Sequence, residues 1–281
     1  MAKILVTGAS GLVGSRFVEL SKFKNYLITP RREELDITKP DLKLDSPDVV
    51  VNFAADTDVS GGENQRDDKN GSCWQINLNG VQNLLNLISP STYFIQISTD
   101  MVFSGVSGPY SESDKPETDS SKVTWYGFTK AEAERLVSQR ENSAILRIIY
   151  PVRAKFDRKL DYLRKPLKLY DEGKLYPIFI DQQISISFID EICQVIDTLI
   201  AGKKTGIFHG GSSDLTTPFN VISYLIKKAR NQENLIQQGR LPESVRYPKF
   251  GGLKVTKTEE MLGIKFSTWK QIVDKLVEQG V

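Results

Sequence analysis

Residues that commonly bind metals or form disulfides are scarce in this sequence. It contains one histidine, His209, and two cysteines, Cys73 and Cys193, which lie far apart in the chain. Zinc sites need three or four such ligands at short spacings, so we expect no metal site. The two cysteines are expected to be free thiols in a reducing compartment.

Long apolar runs and a marked excess of one charge are also lacking. No stretch approaches the roughly 20 apolar residues that a helix needs to cross a bilayer, and the start, MAKILVTGAS, lacks the apolar core of a signal peptide. The 37 basic residues nearly balance the 35 acidic ones, for a net charge of +2. We therefore expect a cytoplasmic protein that binds neither membranes nor nucleic acid.

The sequence does contain a repeated alternation of strand and helix patterns. Short apolar runs alternate with amphipathic segments up to about residue 150. Such alternation predicts an α/β fold with a doubly wound parallel Rossmann-type sheet and right-handed crossovers. The predicted strands are 3–7, 26–29, 35–37, 48–53, 93–98, 144–149 and 206–209, and the predicted helices are 11–22, 74–88, 124–140, 189–201, 219–229 and 269–278.

The pattern changes after residue 150, where a basic stretch, 153–173, is expected to be irregular or helical. We predict a dinucleotide-binding domain made of residues 1–150 and about 188–210. A smaller, mixed α/β C-terminal substrate lobe would comprise 151–187 and 211–281. The basic residues 153–165 are expected either to neutralise a diphosphate or to form a solvated charged face.

A glycine-rich loop joins the first predicted strand to the first predicted helix. Gly8, Gly11 and Gly14 are spaced Gly-x-x-Gly-x-x-Gly, which permits a tight turn and a close approach of the backbone to a pyrophosphate. The amides that open the helix would then face the phosphates. We predict dinucleotide binding by this loop, including Ser10, Leu12 and Val13.

The residues after the second predicted strand bear on the choice of dinucleotide. A carboxylate there would bind the ribose 2′-hydroxyl of NAD(H), whereas Arg31 and Arg32 suit the 2′-phosphate of NADP(H). We predict NADP(H) as the preferred cofactor, with NAD(H) as the alternative because Glu33 and Glu34 could pair with the arginines. The pair Asp36-Ile37 would either edge the adenine or close a turn.

Tyr126 and Lys130 are spaced i and i+4 at the start of a predicted helix, and this spacing places both side chains on one helix face. A nearby ammonium favours the phenolate and lowers the pKa of a tyrosine. The pair is therefore a candidate proton donor or acceptor near neutral pH. The alternative is a partly buried tyrosine beside a solvated lysine.

Together these motifs resemble the extended short-chain dehydrogenase/reductase superfamily and, within it, the dTDP-4-dehydrorhamnose reductases. The match is dense up to about residue 150 and thin beyond it. The residues that carry it are 7–14, Glu34 to Thr38, Asn52 to Ala55, Gln75 to Asn77, Ile97 to Phe103, Pro109 to Glu112, Tyr126 to Glu132, Leu146-Arg147 and Asp181-Gln182.

The resemblance implies transfer of a hydride to a ketone, with a nucleotide-sugar as substrate. Tyr126 would protonate the ketone oxygen, Thr99 would hydrogen-bond to it, and Lys130 would hold the nicotinamide ribose and lower the pKa of Tyr126. Asp100 would be a substrate-side or orienting group. Further cofactor contacts are implied for Ala54, Ala55, Asn77 and Ile97.

Two departures bear on the substrate. Tyr150 stands where the reductases usually have a tryptophan that stacks on the nucleotide base, and 183–187 replaces a Gly-Ser-Pro-Thr segment that borders the sugar nucleotide. A tyrosine ring can also stack, so Tyr150 is kept as a substrate-binding candidate. Met101 stands where dehydratases of this fold have a glutamate. A thioether is no base at neutral pH, which favours reduction over elimination.

Three alternatives stay open at this stage. The first is a sugar-nucleotide epimerase or dehydratase of the same fold. The second is a non-catalytic regulatory subunit that resembles the methionine adenosyltransferase β subunit. The third is a reductase of another small ketone. We expect an NADPH-dependent reductase of a nucleotide-activated 4-keto-6-deoxy sugar, and the sequence also allows a homodimer.

Overall fold

The computed structural model describes residues 3–39, 46–232 and 236–281. Its strands are β1 (Ile4–Thr7), β2 (Leu27–Ile28), β3 (Val49–Asn52), β4 (Tyr93–Thr99), β5 (Ser143–Ile148), β6 (Pro151–Val152), β7 (Ile178–Phe179), β8 (Ser187–Phe188), β9 (Gly206–Gly210) and β10 (Gln238–Gly239). Its α-helices are α1 (Leu12–Leu20), α2 (Val59–Asn64), α3 (Ser72–Trp74), α4 (Gly80–Leu87), α5 (Trp125–Val137), α6 (Arg164–Asp171), α7 (Ile189–Gly202), α8 (Pro218–Arg230), α9 (Thr256–Leu262) and α10 (Trp269–Glu278).

Six parallel strands form the central sheet in the order β2-β1-β3-β4-β5-β9. The chain runs outward from β1 to β2 and then crosses to β3 on the other side of β1. This reversal creates a crevice at the carboxyl ends of β1 and β3, which is where open α/β sheets bind ligands. The predicted α/β Rossmann-type class is confirmed.

Alternating residues of the strands supply two separate cores. Ile4 and Val6 face the cluster that contains Phe17 of α1 and Ile192 of α7. Leu5 lies on the other face of the sheet, in the cluster that contains residues of α4 and α5. This period of two is the reason that a short, fully buried strand can cover helices on both faces.

A third apolar cluster lies beyond the sheet and consists mostly of residues that follow residue 150. It includes Leu163, Ile184, Leu225 and Ile272, all at most 1% exposed. The short parallel pairs β6–β8 and β7–β10 and the helices α6, α8 and α10 surround it. β9 pairs with β5 in the large sheet, and the division into two domains stays a prediction.

Two predicted elements differ from the structure. Residues 35–37 form no strand, because the Asp36 carboxylate accepts hydrogen bonds from the Thr38 backbone amide at 3.0 Å and from its hydroxyl at 2.7 Å, which closes a turn. The predicted helix 74–88 is interrupted by a π-helical segment, Gln75–Asn79, between α3 and α4. Hydrophobic periodicity does not report such a one-residue insertion.

No helix in the described part of the chain has both the length and the apolar character needed to cross a membrane.

Candidate active site

The glycine loop between β1 and α1 is a cradle that side chains would fill. Gly8 has φ of +66°, and a Cβ there would lie 2.6 Å from the backbone nitrogen of Ala54, in the loop after β3. A Cβ on Gly14 would collide with the Gly8 carbonyl. The loop therefore needs glycine at both positions, the first for its backbone conformation and the second for the close approach of α1.

Helix α1 begins with its amides uncovered. Its N-cap is Gly11, which has no side chain to accept from them, and its first turn carries no acidic residue. The opening amides of a helix and its dipole together favour an anion. A dinucleotide pyrophosphate fits this cradle, since both the required glycines and the free amides are present.

A cavity of about 740 Å³ extends from the glycine loop along the carboxyl ends of the strands. Many sequence-predicted residues line it, and they come from five places: the glycine loop with α1, the loop after β3, the end of β4, helix α5 and the segment after β5. The predicted lining residues are Gly8, Ser10, Gly11, Leu12, Val13, Gly14, Ala55, Ile97, Thr99, Asp100, Tyr126, Lys130 and Tyr150. The fold thus brings the cofactor and catalytic candidates into one cavity.

Thr99 and Asp100 stand at the end of β4, where the chain turns into a 3₁₀ segment, Asp100–Val102. The Thr99 hydroxyl donates to Asp100 Oδ1 at 3.1 Å and accepts from the Met101 amide at 3.2 Å. Burial raises the pKa of Asp100 to about 7, and the Thr99 hydrogen bond opposes that rise. Asp100 is therefore a carboxyl group that titrates near neutral pH.

Helix α5 carries Tyr126 to this strand end. Thr124 caps the helix by accepting from the Gly127 amide at 3.0 Å, and a Cβ on Gly127 would collide with the Met101 carbonyl. This close approach places the phenol beside Thr99, whose interaction with it lowers the pKa of Tyr126. Burial and the charge of Asp100 act more strongly and raise the pKa of Tyr126 well above its usual value.

Lys130, one helical turn further along α5, is 2% exposed. Its Nζ donates to the Ile97 carbonyl at 2.7 Å. Burial lowers the pKa of Lys130 to about 8, and the charge of Glu134 opposes this. We expected Lys130 to lower the pKa of Tyr126. In this structure that pKa is instead raised, because burial of the phenol and the charge of the nearby Asp100 carboxylate have the largest effects.

Other predicted cofactor residues do not line the cavity. Ala54 packs behind Gly8. Asn77 is fully buried and braces the loop after β3, with its amide group bonded to Asp56 and to Thr129 of α5. Ile37 packs against Gly80.

The residues predicted to select the dinucleotide also lie outside the cavity lining. Arg31 and Arg32 are exposed after β2, and Arg32 pairs with Asp36 at 3.8 Å across exposed surface. An exposed pair of this length is weak. The Arg32 guanidinium group is therefore held only loosely after this strand.

An aromatic and basic wall lies opposite the strands, and the sequence had indicated only Tyr150 and the basic stretch 153–165 of it. Tyr162 stacks on Tyr150 with ring centroids 4.0 Å apart, and Gln182 donates to the Tyr150 hydroxyl at 3.3 Å. Further aromatic and basic lining residues on this side are Phe156, Arg158, Lys159, Lys165 and Tyr176. The sequence showed the basic composition of this stretch, but not which of its side chains face the cavity.

Known proteins resemble this chain over its whole length. A family model described as the RmlD substrate binding domain matches residues 2–281. A dTDP-4-dehydrorhamnose reductase of Aggregatibacter actinomycetemcomitans is 27% identical over 300 residues, covering 98% of each chain. Methionine adenosyltransferase 2 subunit beta of Rattus norvegicus is 24% identical over 317 residues, covering 99% of this chain and 91% of the relative.

Solved structures agree with the fold. The crystal structure of dTDP-4-dehydrorhamnose reductase from Bacillus anthracis str. Ames in complex with NADP superposes with a TM-score of 0.81 at 20% identity, covering 99% of this chain and 98% of that one. The resemblance inferred from the glycine loop and the Tyr126–Lys130 pair is confirmed. Because the family model spans nearly every residue, this chain belongs to the RmlD substrate binding domain family.

Proposed function

We propose that the protein is an NADPH-dependent oxidoreductase that reduces the keto group of a nucleotide-activated 4-keto-6-deoxy sugar. The observation that supports this most strongly is the meeting of Thr99, Tyr126 and Lys130 in one cavity with the glycine cradle. Relatives named dTDP-4-dehydrorhamnose reductase and dTDP-4-keto-6-deoxy-D-glucose reductase support the substrate class.

The cofactor would lie along the carboxyl ends of β1, β3 and β4. The amides of Leu12 and Val13, at the start of α1, would bind its pyrophosphate. Ala55, Ile97 and Lys130 would border the nicotinamide end, which supplies the reducing equivalent when bound. Asn77 and Ala54 would act indirectly, by holding the loop after β3 against Gly8.

The preference for NADP(H) rests on the arginines at the end of β2. Arg31 and Arg32 would meet the 2′-phosphate, and Asp36 and Ile37 would border the adenine. The loose surface pair between Arg32 and Asp36 leaves the guanidinium group available to a phosphate, which is a stronger partner. Solved structures of this fold bound to NADPH and to NAD support both dinucleotides as candidates.

Tyr126 holds the proton that reduction of a ketone requires. Its raised pKa keeps the phenol protonated at neutral pH, so it can donate a proton to the oxygen of the ketone. The Thr99 hydroxyl would hydrogen-bond to the same oxygen as negative charge develops on it. Met101 also lines the cavity, and its thioether offers no base for eliminating water.

The substrate would enter along the wall that faces the strands. Tyr150 and Tyr162 offer stacked rings for a nucleobase. Asp100 would hydrogen-bond to the sugar close to the reacting carbon.

The second candidate is a regulatory subunit that binds the dinucleotide without turnover. The observation in its favour is the match with methionine adenosyltransferase 2 subunit beta over nearly the whole chain. The two candidates differ in a simple respect, because only the reductase oxidises NADPH. The regulatory candidate predicts co-purification with an adenosyltransferase.

The deciding experiment is NADPH oxidation in the presence of dTDP-4-keto-6-deoxy sugar, followed by absorbance. We expect turnover by the wild type and a loss of about 10²- to 10⁴-fold in kcat for Tyr126→Phe, with cofactor affinity retained. Absence of turnover by a wild type that still binds NADPH would exclude the reductase. Parallel assays with NADH test the role given to Arg31 and Arg32.

A further inference from the structure

The basic stretch after β6 divides into two sets of cations with different surroundings. Arg153 is 5% exposed, and its Nη2 lies 3.0 Å from both carboxylate oxygens of Glu19 in α1. Arg164 donates to Asp161 Oδ2 at 2.6 Å and to the Phe156 carbonyl at 3.0 Å. These two arginines are used within the protein itself and are not available to a ligand.

Their bonds fix the position of the chain between them, residues 154–163, which we call the bridging segment. Arg153 also donates to Ser15 Oγ at 3.0 Å, so one end of the segment is attached to the helix that the glycine loop opens. At the other end, Asp161 accepts from the backbone amides of Leu163 and Arg164, both at 3.0 Å. The bridging segment therefore lies across the cavity from the strands and beside the cofactor cradle.

Arg158 and Lys159 are the cations that the bridging segment turns toward the cavity. Arg158 Nη1 lies 3.5 Å from the Ser10 carbonyl, in the glycine loop. Lys159 Nζ lies 3.4 Å from Thr57 Oγ1, in the loop after β3. Within the described ranges neither of them is paired with a carboxylate.

The charge balance of the cradle calls for such cations. A dinucleotide diphosphate carries about two negative charges, whereas a helix N-terminus offers roughly half a positive charge. No lysine or arginine occurs from residue 4 to residue 15, and Arg16 is already paired with Asp190 at 2.7 Å. The glycine loop alone leaves much of the phosphate charge without a partner.

We propose that Arg158 and Lys159 bind the diphosphate of the dinucleotide, so that the cofactor is held between the glycine loop and the bridging segment. This inference rests on the proposed function for the use of a dinucleotide. It adds two cofactor-binding residues from the lobe otherwise given to the substrate. The bridging segment also carries Tyr162, which stacks on Tyr150, so bound cofactor would fix the wall that receives the sugar nucleotide.

The test is the dissociation constant for NADPH and for NADH, measured by nucleotide fluorescence without any sugar substrate. Arg158→Ala and Lys159→Ala are each expected to raise both constants about tenfold, since a charge-assisted contact to phosphate is lost. Lys155→Ala is the matched control, because Lys155 is an exposed cation of the same segment outside the cavity lining. Its constants should equal those of the wild type.

Any outcome other than weaker binding of both NADPH and NADH would overturn the assignment of Arg158 and Lys159 to the cofactor diphosphate. Weaker binding of NADPH alone would place the two cations on the 2′-phosphate. Unchanged cofactor constants with a higher KM for the sugar nucleotide would place them on the substrate diphosphate. Values equal to those of Lys155→Ala would leave them without a binding role. Because binding is measured without turnover, a wild type that binds NADPH but reduces nothing would refute the proposed function and still test this inference.

Discussion

Glu134 and Arg147 form a buried two-point ion pair between α5 and β5. Arg147 Nη2 lies 2.7 Å from Glu134 Oε2, Arg147 Nε lies 3.0 Å from Oε1, and the two side chains are 0% and 2% exposed. Ser98, directly before Thr99, donates to the same carboxylate at 2.5 Å. Lys130 lies one helical turn before Glu134. The pair therefore ties the strand end of the active site to the helix that carries Tyr126.

Removing the charge of Glu134 should destabilise the fold. In Glu134→Gln the buried guanidinium group of Arg147 loses its counter-ion, which costs about 3–5 kcal/mol of unfolding free energy. Urea denaturation followed by circular dichroism measures it. The exposed pair of Arg135 and Glu132 is the control, and Glu132→Gln should cost less than about 1 kcal/mol. Equal costs for the two variants would contradict a structural role for the buried pair.

His209 should make stability sensitive to mild acid. Burial, with a smaller contribution from Arg147, lowers the pKa of this side chain to about 3. The unfolded chain therefore takes up a proton near pH 6.5 that the folded protein does not, and stability falls as the pH drops below that value. The sequence has no other histidine.

The measurement is the difference in unfolding free energy between wild type and His209→Gln at several pH values. This difference should shrink by up to about 1.4 kcal/mol per pH unit between roughly pH 6 and pH 5. Comparison with the variant is needed because Asp100, with its raised pKa, acts in the opposite direction over the same range. A difference that does not change with pH would mean that His209 is protonated in the folded protein.

The pH profile of the proposed reaction should report on Asp100. Its carboxylate forms above about pH 7 and raises the pKa of Tyr126, which opposes loss of the phenol proton. Cys73 and Asp56 act on Tyr126 in the same direction. We expect kcat for ketone reduction to fall as the pH rises through about 7.

In Asp100→Asn, kcat should no longer fall near pH 7 but should still fall near pH 8. The second fall corresponds to Lys130, whose pKa of about 8 reflects burial opposed by the charge of Glu134. Stopped-flow measurement of single turnovers with saturating NADPH follows the chemical step directly. An unchanged midpoint near 7 in Asp100→Asn would show that another group is responsible.

Gly14→Ala should weaken cofactor binding. The added methyl group would collide with the Gly8 carbonyl, so α1 must move away from the cradle that would bind the pyrophosphate. We expect the NADPH dissociation constant to rise at least about tenfold, as when one charge-assisted contact is lost. Gly202→Ala, where the added methyl group meets only the flexible Lys204 side chain, should bind NADPH like the wild type. If both variants bound NADPH with wild-type affinity, the glycine loop would have no role in binding the pyrophosphate.

The parts of the fold that were predicted correctly are those with short-range causes. The apolar runs of β1 and β4 and the amphipathic pattern of α10 depend on neighbouring residues only. The strand predicted at 35–37 was wrong, because hydrogen bonds from Thr38 to the Asp36 carboxylate close the turn that was the alternative for Asp36 and Ile37. The same holds for the candidate site. The glycine loop and the Tyr126–Lys130 pair could be predicted because both are local motifs.

Long-range contacts account for what the sequence left undetermined. In the basic stretch after β6, only the folded chain shows that Arg153 binds Glu19 of α1 while Arg158 reaches Ser10. The pKa of Tyr126 was likewise misjudged from spacing alone. Spacing places Lys130 on the correct helix face, but it says nothing about burial of the phenol or about the Asp100 carboxylate across the cavity.

The π-helical segment Gln75–Asn79 also fixes the length of the chain at that point. A residue added to or removed from an α-helix rotates everything that follows by about 100°. On one side of the segment Trp74 stacks on Trp125 at 5.5 Å, and on the other Gly80 receives the Ile37 side chain. Deleting one residue within 75–79 would restore an ordinary helix, and only one of these two contacts could then survive. The π-helical segment therefore makes this region intolerant of deletions. Substitutions that keep its length should be tolerated more readily.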